Sequence, residues 1–329
     1  MDITITGKSK SASRRPLRAK LIFNPASGRP EESPQQLEQI ISAMQDEQIL
    51  PEVYNVRPNN HLETVVHNAI QSGIKLIVVA GGDGTVDSIV GAMVGKDVTL
   101  GIIPTGTRNN VAFSLGITGD ITNAVRLLRQ GWRMKIDVGR IHCGRSRYWF
   151  LEAVGLGLVS NIFPLADGIQ HGDLTGIGGL LSTLVSAEPS KLRIILDGHK
   201  RLGVVAHMLL ITNMPYLGPR FQISPEVSYR DGRLDLFTFS DVNKLNMISY
   251  AMLSQIGVME DIGIKHFRAK HVKIRSFPRM PVLADGILLG EGSLSVHIHP
   301  RALAVMAGTA LTGQNATTGL RNSKMAVIG

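Results

Sequence analysis

The chain has 329 residues, 43% of them hydrophobic and 19% charged, and its 35 Lys and Arg exceed 26 Asp and Glu to give a net charge of +9. That length suits about two domains, each able to bury a core of its own. No run approaches the ~18 uninterrupted apolar residues of a membrane span, the N-terminus lacks an apolar signal core, and the single cysteine, Cys143, excludes an internal disulfide. A reducing cytoplasm is therefore the default location, and Cys143 reads as a small core residue. The basic balance favours anionic partners, whether nucleotides, acidic lipid surfaces or nucleic acid. Aromatic residues at 5%, with no basic–aromatic alternation, argue against a platform for single-stranded nucleic acid.

In chain order, residues 1–17 carry Lys8, Lys10, Arg14 and Arg15 among Ser and Gly without apolar periodicity, the pattern of a disordered basic arm. From Arg18 the alternation is regular. Lys20–Phe23 reads as a strand ending at Asn24-Pro25, and Leu37, Ile40, Ile41 and Met44 mark a helix. Strand-like Ile49–Val56 precedes a helix with Leu62, Val65, Val66, Ala69 and Ile70 on one face. A buried strand at 76–80, a helix over 86–94 and the strand Thr99–Ile103 complete βαβαβαβ. Such alternation implies a mostly parallel sheet covered on both faces, with functional loops at the carboxyl ends of its strands.

The stretch Leu76-Ile-Val-Val-Ala-Gly-Gly-Asp-Gly-Thr-Val86 holds the clearest chemistry. A strand feeding a glycine turn that opens a helix lets the backbone approach an anion, and the helix dipole favours negative charge there. Asp83 within the turn would repel bare phosphate unless a divalent cation lies between them. Gly81, Gly82, Asp83, Gly84 and Thr85 are thus candidates for a nucleotide-phosphate and Mg²⁺ loop; the plain alternative is a tight turn. Two further strand ends carry unusual loops, Asn24-Pro-Ala-Ser-Gly28 and Pro104-Thr-Gly-Thr-Arg-Asn-Asn110, the latter leading into a short helix toward Gly116. Asn24, Ser27, Thr85, Thr105, Thr107, Asn109 and Asn110 would then surround one phosphate-sized site, unless each merely caps a helix.

Beyond Trp132 the segments 135–142, 148–154, 191–196, 203–212, 234–239, 271–276 and 295–299 are short, β-rich and joined by turns, as in an antiparallel sandwich. The glycine-rich stretch 164–189 reads as a lid or a long loop, residues 245–256 as an amphipathic helix, and 309–329 as a disordered tail. His297 and His299 alternate on one strand face, the spacing of a two-ligand metal edge, but with no third ligand evident an ordinary sheet surface is preferred. The expected fold is thus a Rossmann-like parallel α/β domain over 18–133 and a β-sandwich over 134–308 whose last segment returns to the first domain.

These motifs together resemble the diacylglycerol kinase catalytic family, which includes sphingosine kinases and bacterial lipid kinases. The resemblance covers roughly Leu17 to Met306 and is carried by Asn24-Pro-x-Ser-Gly28, Gly81-Gly-Asp-Gly-Thr-Val86, Pro104-x-Gly-Thr-x-Asn109, Asn213-Met-Pro215 and Asp231-Gly-Arg-Leu-Asp235. It implies ATP bound between an α/β domain of the NAD kinase and phosphofructokinase type and a β-sandwich, with Mg²⁺ assisting γ-phosphoryl transfer to a lipid hydroxyl. On that reading Asn24, Ser27, Gly28, Gly81–Thr85, Gly106, Thr107, Asn109 and Asn110 bind nucleotide, Asp83 and Asp137 serve metal and catalysis, and Asp231 holds a second, structural metal. It further implies a peripheral enzyme acting on a lipid at an anionic membrane, with no nucleic-acid partner and with a homodimer open. Three departures stand out: Asp87-Ser88 replaces the family's Asn-Glu, Asn110 replaces a frequent Asp, and Ile287 replaces the catalytic Glu in Asp285-Gly286-Ile287. Asp285 and Glu291 are the candidate substitutes for the missing base. The alternatives are a nucleotide- or lipid-binding protein without phosphoryl transfer, and a soluble-substrate kinase of the NAD kinase type.

Overall fold

The computed structural model describes residues 15–58, 61–117, 120–158, 188–217, 222–240 and 264–308. The expected arm, the glycine-rich stretch 164–189, the amphipathic helix 245–256 and the tail lie outside those residues, in whole or nearly so. Strands β1 (Leu17–Phe23), β2 (Ile49–Asn55), β3 (Leu76–Gly81) and β4 (Thr99–Pro104) run parallel in the order β2-β1-β3-β4. Helices α1 (Ser33–Asp46), α2 (Leu62–Gln71), α3 (Asp83–Met93), α4 (Asn110–Ser114) and α5 (Ile121–Gln130) connect and cover them. All six residues of β3 are buried, as a central parallel strand covered on both faces requires. α5 has no counterpart in the sequence reading; Asp120 caps it by accepting from Asn123 N–H at 2.8 Å.

The rest is antiparallel. β5 (Trp132–Cys143), β6 (Ser146–Phe150), β8 (Ser190–Leu196), β9 (Lys200–Ala206), β13 (His271–Phe277) and β16 (Leu294–Ala307) extend the parallel sheet, whose order continues β4-β16-β13-β8-β9. A second sheet has the order β12-β11-β10-β7-β14-β15, built from β7 (Ala153–Gly157), β10 (Met208–Thr212), β11 (Leu234–Phe239), β12 (Ile264–Ala269), β14 (Pro281–Ala284) and β15 (Ile287–Glu291). Alternate residues of the first sheet, among them Ile141, Ile194, Ile274 and Val296, bury against Val154, Leu209, Ile211 and Leu236 of the second. This is sandwich packing by period-2 alternation.

The two halves share one continuous sheet. β5 crosses the expected boundary at 133/134, and β16 pairs antiparallel with it from Leu294 to Ala307 while Ala304 and Val305 lie parallel to Thr99 and Leu100 of β4. β16 changes register between His299 and Leu303, where Arg301 has φ of 51°. Asp137, fully buried in β5, holds that bend: one carboxylate oxygen accepts Arg301 N–H at 2.7 Å and the other Gly232 N–H at 2.6 Å. Asp137 thus has a structural part, its two oxygens clamping backbone where β16 turns from one half of the sheet to the other. Asp137→Ala should lower unfolding free energy by about 3 kcal/mol, since it strands two buried N–H donors that now bond a carboxylate. Urea denaturation would measure this, and an unchanged midpoint would contradict the clamp.

Candidate active site

β1, β3 and β4 are neighbours, with Phe23, Ala80 and Ile103 in register, so the loops that follow them emerge side by side. Their approach is close enough to exclude side chains. A Cβ on Gly106 would lie 2.5 Å from Gly82 Cα, and one on Gly28, whose φ is +72°, would lie 2.3 Å from Thr105 O. Asn24 ties the first loop to the second by donating Nδ2–H to Thr85 Oγ1 at 2.8 Å. Ser27 is buried beside this junction, while Gly84 and Thr107 face open space or solvent. Gly81 packs on Thr85, whose Oγ1 would be 2.9 Å from an added Cβ. Asn109, in the left-handed region at φ 52°, closes its loop on itself, with Nδ2–H donating to Gly106 O at 2.6 Å. Beside Gly106 a cleft of about 300 Å³ opens between α1 and the start of α5, lined by Gln36, Gln39, Thr105, Asp120 and Ile121.

Acidic groups gather behind these loops. Asp83, the first residue of α3, accepts Asn110 N–H at 2.9 Å and Val111 N–H at 3.1 Å through its two oxygens. Asn110 in turn donates Nδ2–H to Glu152 at 2.7 Å. Asp285, in the turn between β14 and β15 at φ 45°, accepts N–H bonds from Leu151, Glu152 and Ala153 at 2.7 to 3.1 Å. Asp87 lies one helical turn beyond Asp83 and is buried, and its Oδ1 has no hydrogen-bond partner; Asn110 Oδ1 is likewise buried and unpartnered. Asn213 of the Asn-Met-Pro motif supports this arrangement from below, donating to the carbonyls of Leu151 and Asp137 at 2.9 and 3.1 Å.

Crowding and burial shift these groups in one direction. Burial raises the carboxyl of Asp83 against the pull of the Asn110 and Val111 N–H groups. Burial, and then the charges of its acidic neighbours, pushes Asp87 and Glu152 well above the carboxylate range. Burial lifts Asp285 to about 6 even though three backbone N–H groups oppose the shift. Tyr148, whose buried hydroxyl has no hydrogen-bond partner, is raised by burial and then by the charges of Asp87, Asp285 and Glu152.

The residues fit a magnesium nucleotide. Among the described residues no three Asp, Glu, His or Cys side chains converge to cage a metal by themselves. Mg²⁺ does not require that, since it is commonly held by one or two carboxylates with water and substrate phosphates completing its shell. The unpartnered oxygens of Asp87 and Asn110 and the raised acids are what a cation would relieve.

Two other expected site residues take different places. Glu291 is exposed on β15, opposite Pro281, and an extended strand carries it about 13 Å from Ile287. It therefore does not fold back toward Asp285, and its expected role as substitute base is corrected. Asp231 accepts Arg233 N–H at 2.9 Å through one oxygen and pairs with the Arg268 guanidinium through the other. Its ion-pair partner in this structure is therefore a cation of the chain's own. Conversely, Asp87 and Glu152 join the cluster without a role expected from the sequence. A lone acid inside the apolar run Trp149-Phe-Leu-Glu-Ala-Val154 was the available signal for Glu152.

Residues 18–141 match the diacylglycerol kinase catalytic domain, and residues 166–307 match the YegS C-terminal NAD kinase beta sandwich-like domain. Those two matches make the chain similar to diacylglycerol kinases over most of its length. Among similar proteins, a diacylglycerol kinase of Bacillus subtilis is 29% identical over 301 residues, which span 86% of this chain and 95% of that protein. The crystal structure of a diacylglycerol kinase from Bacillus anthracis superposes with a TM-score of 0.67 at 21% identity, over 89% of this chain and 97% of that one. An NAD kinase from Archaeoglobus fulgidus, solved in complex with ATP, gives a TM-score of 0.50 at 13% identity over 92% of this chain and 99% of that one. These two structural likenesses establish the fold, an α/β domain joined to a β-sandwich.

Because folding raises the affinity of Asp285 and its neighbours for protons, their contribution to stability is full below the ordinary carboxylate range near 4 and is lost as pH rises through about 6. Mg²⁺ should therefore raise the melting temperature at about pH 8 and have little effect at about pH 5. Thermal melts with and without the ion test this, and equal shifts at both pH values would contradict it.

Proposed function

We propose that the chain transfers the γ-phosphoryl group of ATP to the hydroxyl of diacylglycerol or a related lipid. The observation that carries this reading is the meeting of three glycine-bearing loops with the Asp83, Asp87, Glu152 and Asp285 cluster, in a chain similar to diacylglycerol kinases. Phosphoryl transfer is chiefly positioning and charge neutralisation. The open first turn of α3 at Gly82–Thr85, together with Gly106 and Thr107, supplies backbone approach for phosphates, with Asn24 and Ser27 holding the loop beneath them. Mg²⁺, when bound, would neutralise phosphate charge against the cluster.

For the acceptor proton, Asp285 has the suitable chemistry. Its carboxyl is raised to about 6, close to a working pH. Backbone N–H groups fix its direction, and its oxygens keep lone pairs for one more partner. Beside it Ile287 and Leu288 are 46% and 65% exposed, an apolar lip that suits an acyl-bearing substrate better than a soluble one. The same Ile287 supports a second reading, a nucleotide- or lipid-binding protein that has lost phosphoryl transfer, because the family's base is absent from its usual position.

The deciding experiment follows labelled γ-phosphate from Mg-ATP into vesicle-borne diacylglycerol, ceramide, sphingosine or phosphatidylglycerol. Wild type should label a lipid, and Asp285→Asn should lower the rate by about 10²–10⁴-fold. Labelling by Ile287→Glu alone would establish the binding-protein reading. Silence from every form with ATP still bound would overturn the lipid-kinase assignment.

A further inference from the structure

The outer face of the extended sheet, opposite the sandwich core, has one electrostatic character. At one end Lys191 lies between Val205 and Phe277. In the next row Arg193 lies beside Arg275, and in the row after it Lys273 lies beside Ser295, which is followed by His142 and Arg147. A last row sets His271, His297 and Arg140 side by side, ending at Trp149. The basic residues on β8 and β13 are exposed while Leu192, Ile194, Val272 and Ile274 between them are buried, so the alternation aims the charges outward. No Asp or Glu occupies these strand positions; at their edge Asp197 of the β8–β9 turn accepts the N–H groups of Lys270 and His271. Such a face repels a second copy of itself and attracts a polyanion.

We infer that this face docks the protein on a bilayer containing anionic phospholipid, an inference that rests on the lipid-kinase reading for its purpose but not for its test. Charge complementarity is the first support. The second is the row at the sheet's end: Phe277 is 77% exposed and Val205 50%, one on each side of Lys191. Apolar side chains flanking a basic one suit the headgroup–acyl boundary, where a long cationic side chain reaches phosphate as its neighbours enter the apolar layer. Single-stranded nucleic acid would want several stacking rings. The other large aromatic of these rows, Trp149, is already covered, with the Arg140 guanidinium 4.7 Å from its ring and His299 against it. β6 also links the face to the active site, running from Arg147 and Trp149 to the turn that carries Glu152.

The histidines add a pH dependence. His271 and His297 stack at 3.7 Å, and Ser295 bridges them. His271 is held below its ordinary value by burial and then Lys273, with Asp197 of the β8–β9 turn opposing; His297 is lowered by burial and then by His271, His142, His299 and Lys273. His299 is lowered by burial and then Arg140. Lipid phosphates would offset these repulsions, so docking takes up protons and tightens as pH falls.

The test is cosedimentation of the full-length protein with vesicles of phosphatidylcholine, alone or mixed with phosphatidylglycerol, without nucleotide. Binding should require phosphatidylglycerol and strengthen from about pH 8 to about pH 6. The triple change Arg193→Ser, Lys273→Ser and Arg275→Ser should weaken it by about a hundredfold. An equal loss of charge on the α/β half, by Arg57→Ser, Lys96→Ser and Arg126→Ser, should weaken it far less. Phe277→Ser should weaken vesicle binding severalfold and leave binding to RNA unchanged. Equal losses from the two triple variants, pH-independent binding by wild type, or stronger binding to RNA than to vesicles at equal phosphate would each overturn the proposal. Phosphorylation of a short-chain diacylglycerol dispersed without vesicles separates the two readings: the face variant should match wild type, and failure of wild type there would remove the kinase reading while leaving the docking result intact.

Discussion

The site depends on a close approach between two residues with no side chain. Gly82 and Gly106 approach so nearly that a Cβ on the second would sit 2.5 Å from the Cα of the first. That approach depends on β3 and β4 lying parallel and in register, and it leaves the α3 N-terminus open at Gly84. Everything chemical is hung on the same edge. Asp83 begins α3 and reaches the backbone of α4, so the second and third loops are joined by glycine packing on one side and by a carboxylate on the other.

The second half of the chain supplies the counterpart. Glu152 lies in the turn between β6 and β7 and Asp285 in the turn between β14 and β15, and Asp285 holds the backbone of residues 151–153 by three hydrogen bonds. Asn110 then links Glu152 back to the α/β half. The site is therefore assembled across both halves, and the Asp137 clamp at the bend of β16 keeps them in one sheet. Buried acids crowded together are costly unless a counter-charge offsets them. Their concentration beside the three glycine loops is the physical basis of the proposed magnesium-nucleotide site.

Much of the architecture was legible in local pattern. Apolar runs and helical spacing marked β1, β3, β4, α1 and α3, and the glycines at 28, 82 and 106 marked loops that must come close. The antiparallel strands show as alternating segments, whereas β12 and β15 alternate too weakly to stand out and β14 has only four residues. The signals for α5 are Asp120 and Gly131, which bracket it. The site was harder for a different reason. Asp285 lies more than 130 positions from the backbone it holds, and nothing in the triplet Asp-Gly-Ile reports that partnership. Asp137 carried a motif-based expectation, but only the three-dimensional path of β16 shows its carboxylate turned to Arg301 and Gly232. Glu291 looked near Asp285 in sequence, and the extended β15 carries it away.

Calorimetric titration of Mg-ATP into wild type and Gly106→Ala tests the account most directly. The added methyl group must push the Gly106 and Gly82 loops apart without entering the sandwich core. Binding weaker by about tenfold or more, with an unchanged urea midpoint, is the result the account predicts. Equal affinity in the two proteins would contradict it and place the nucleotide away from the three loops.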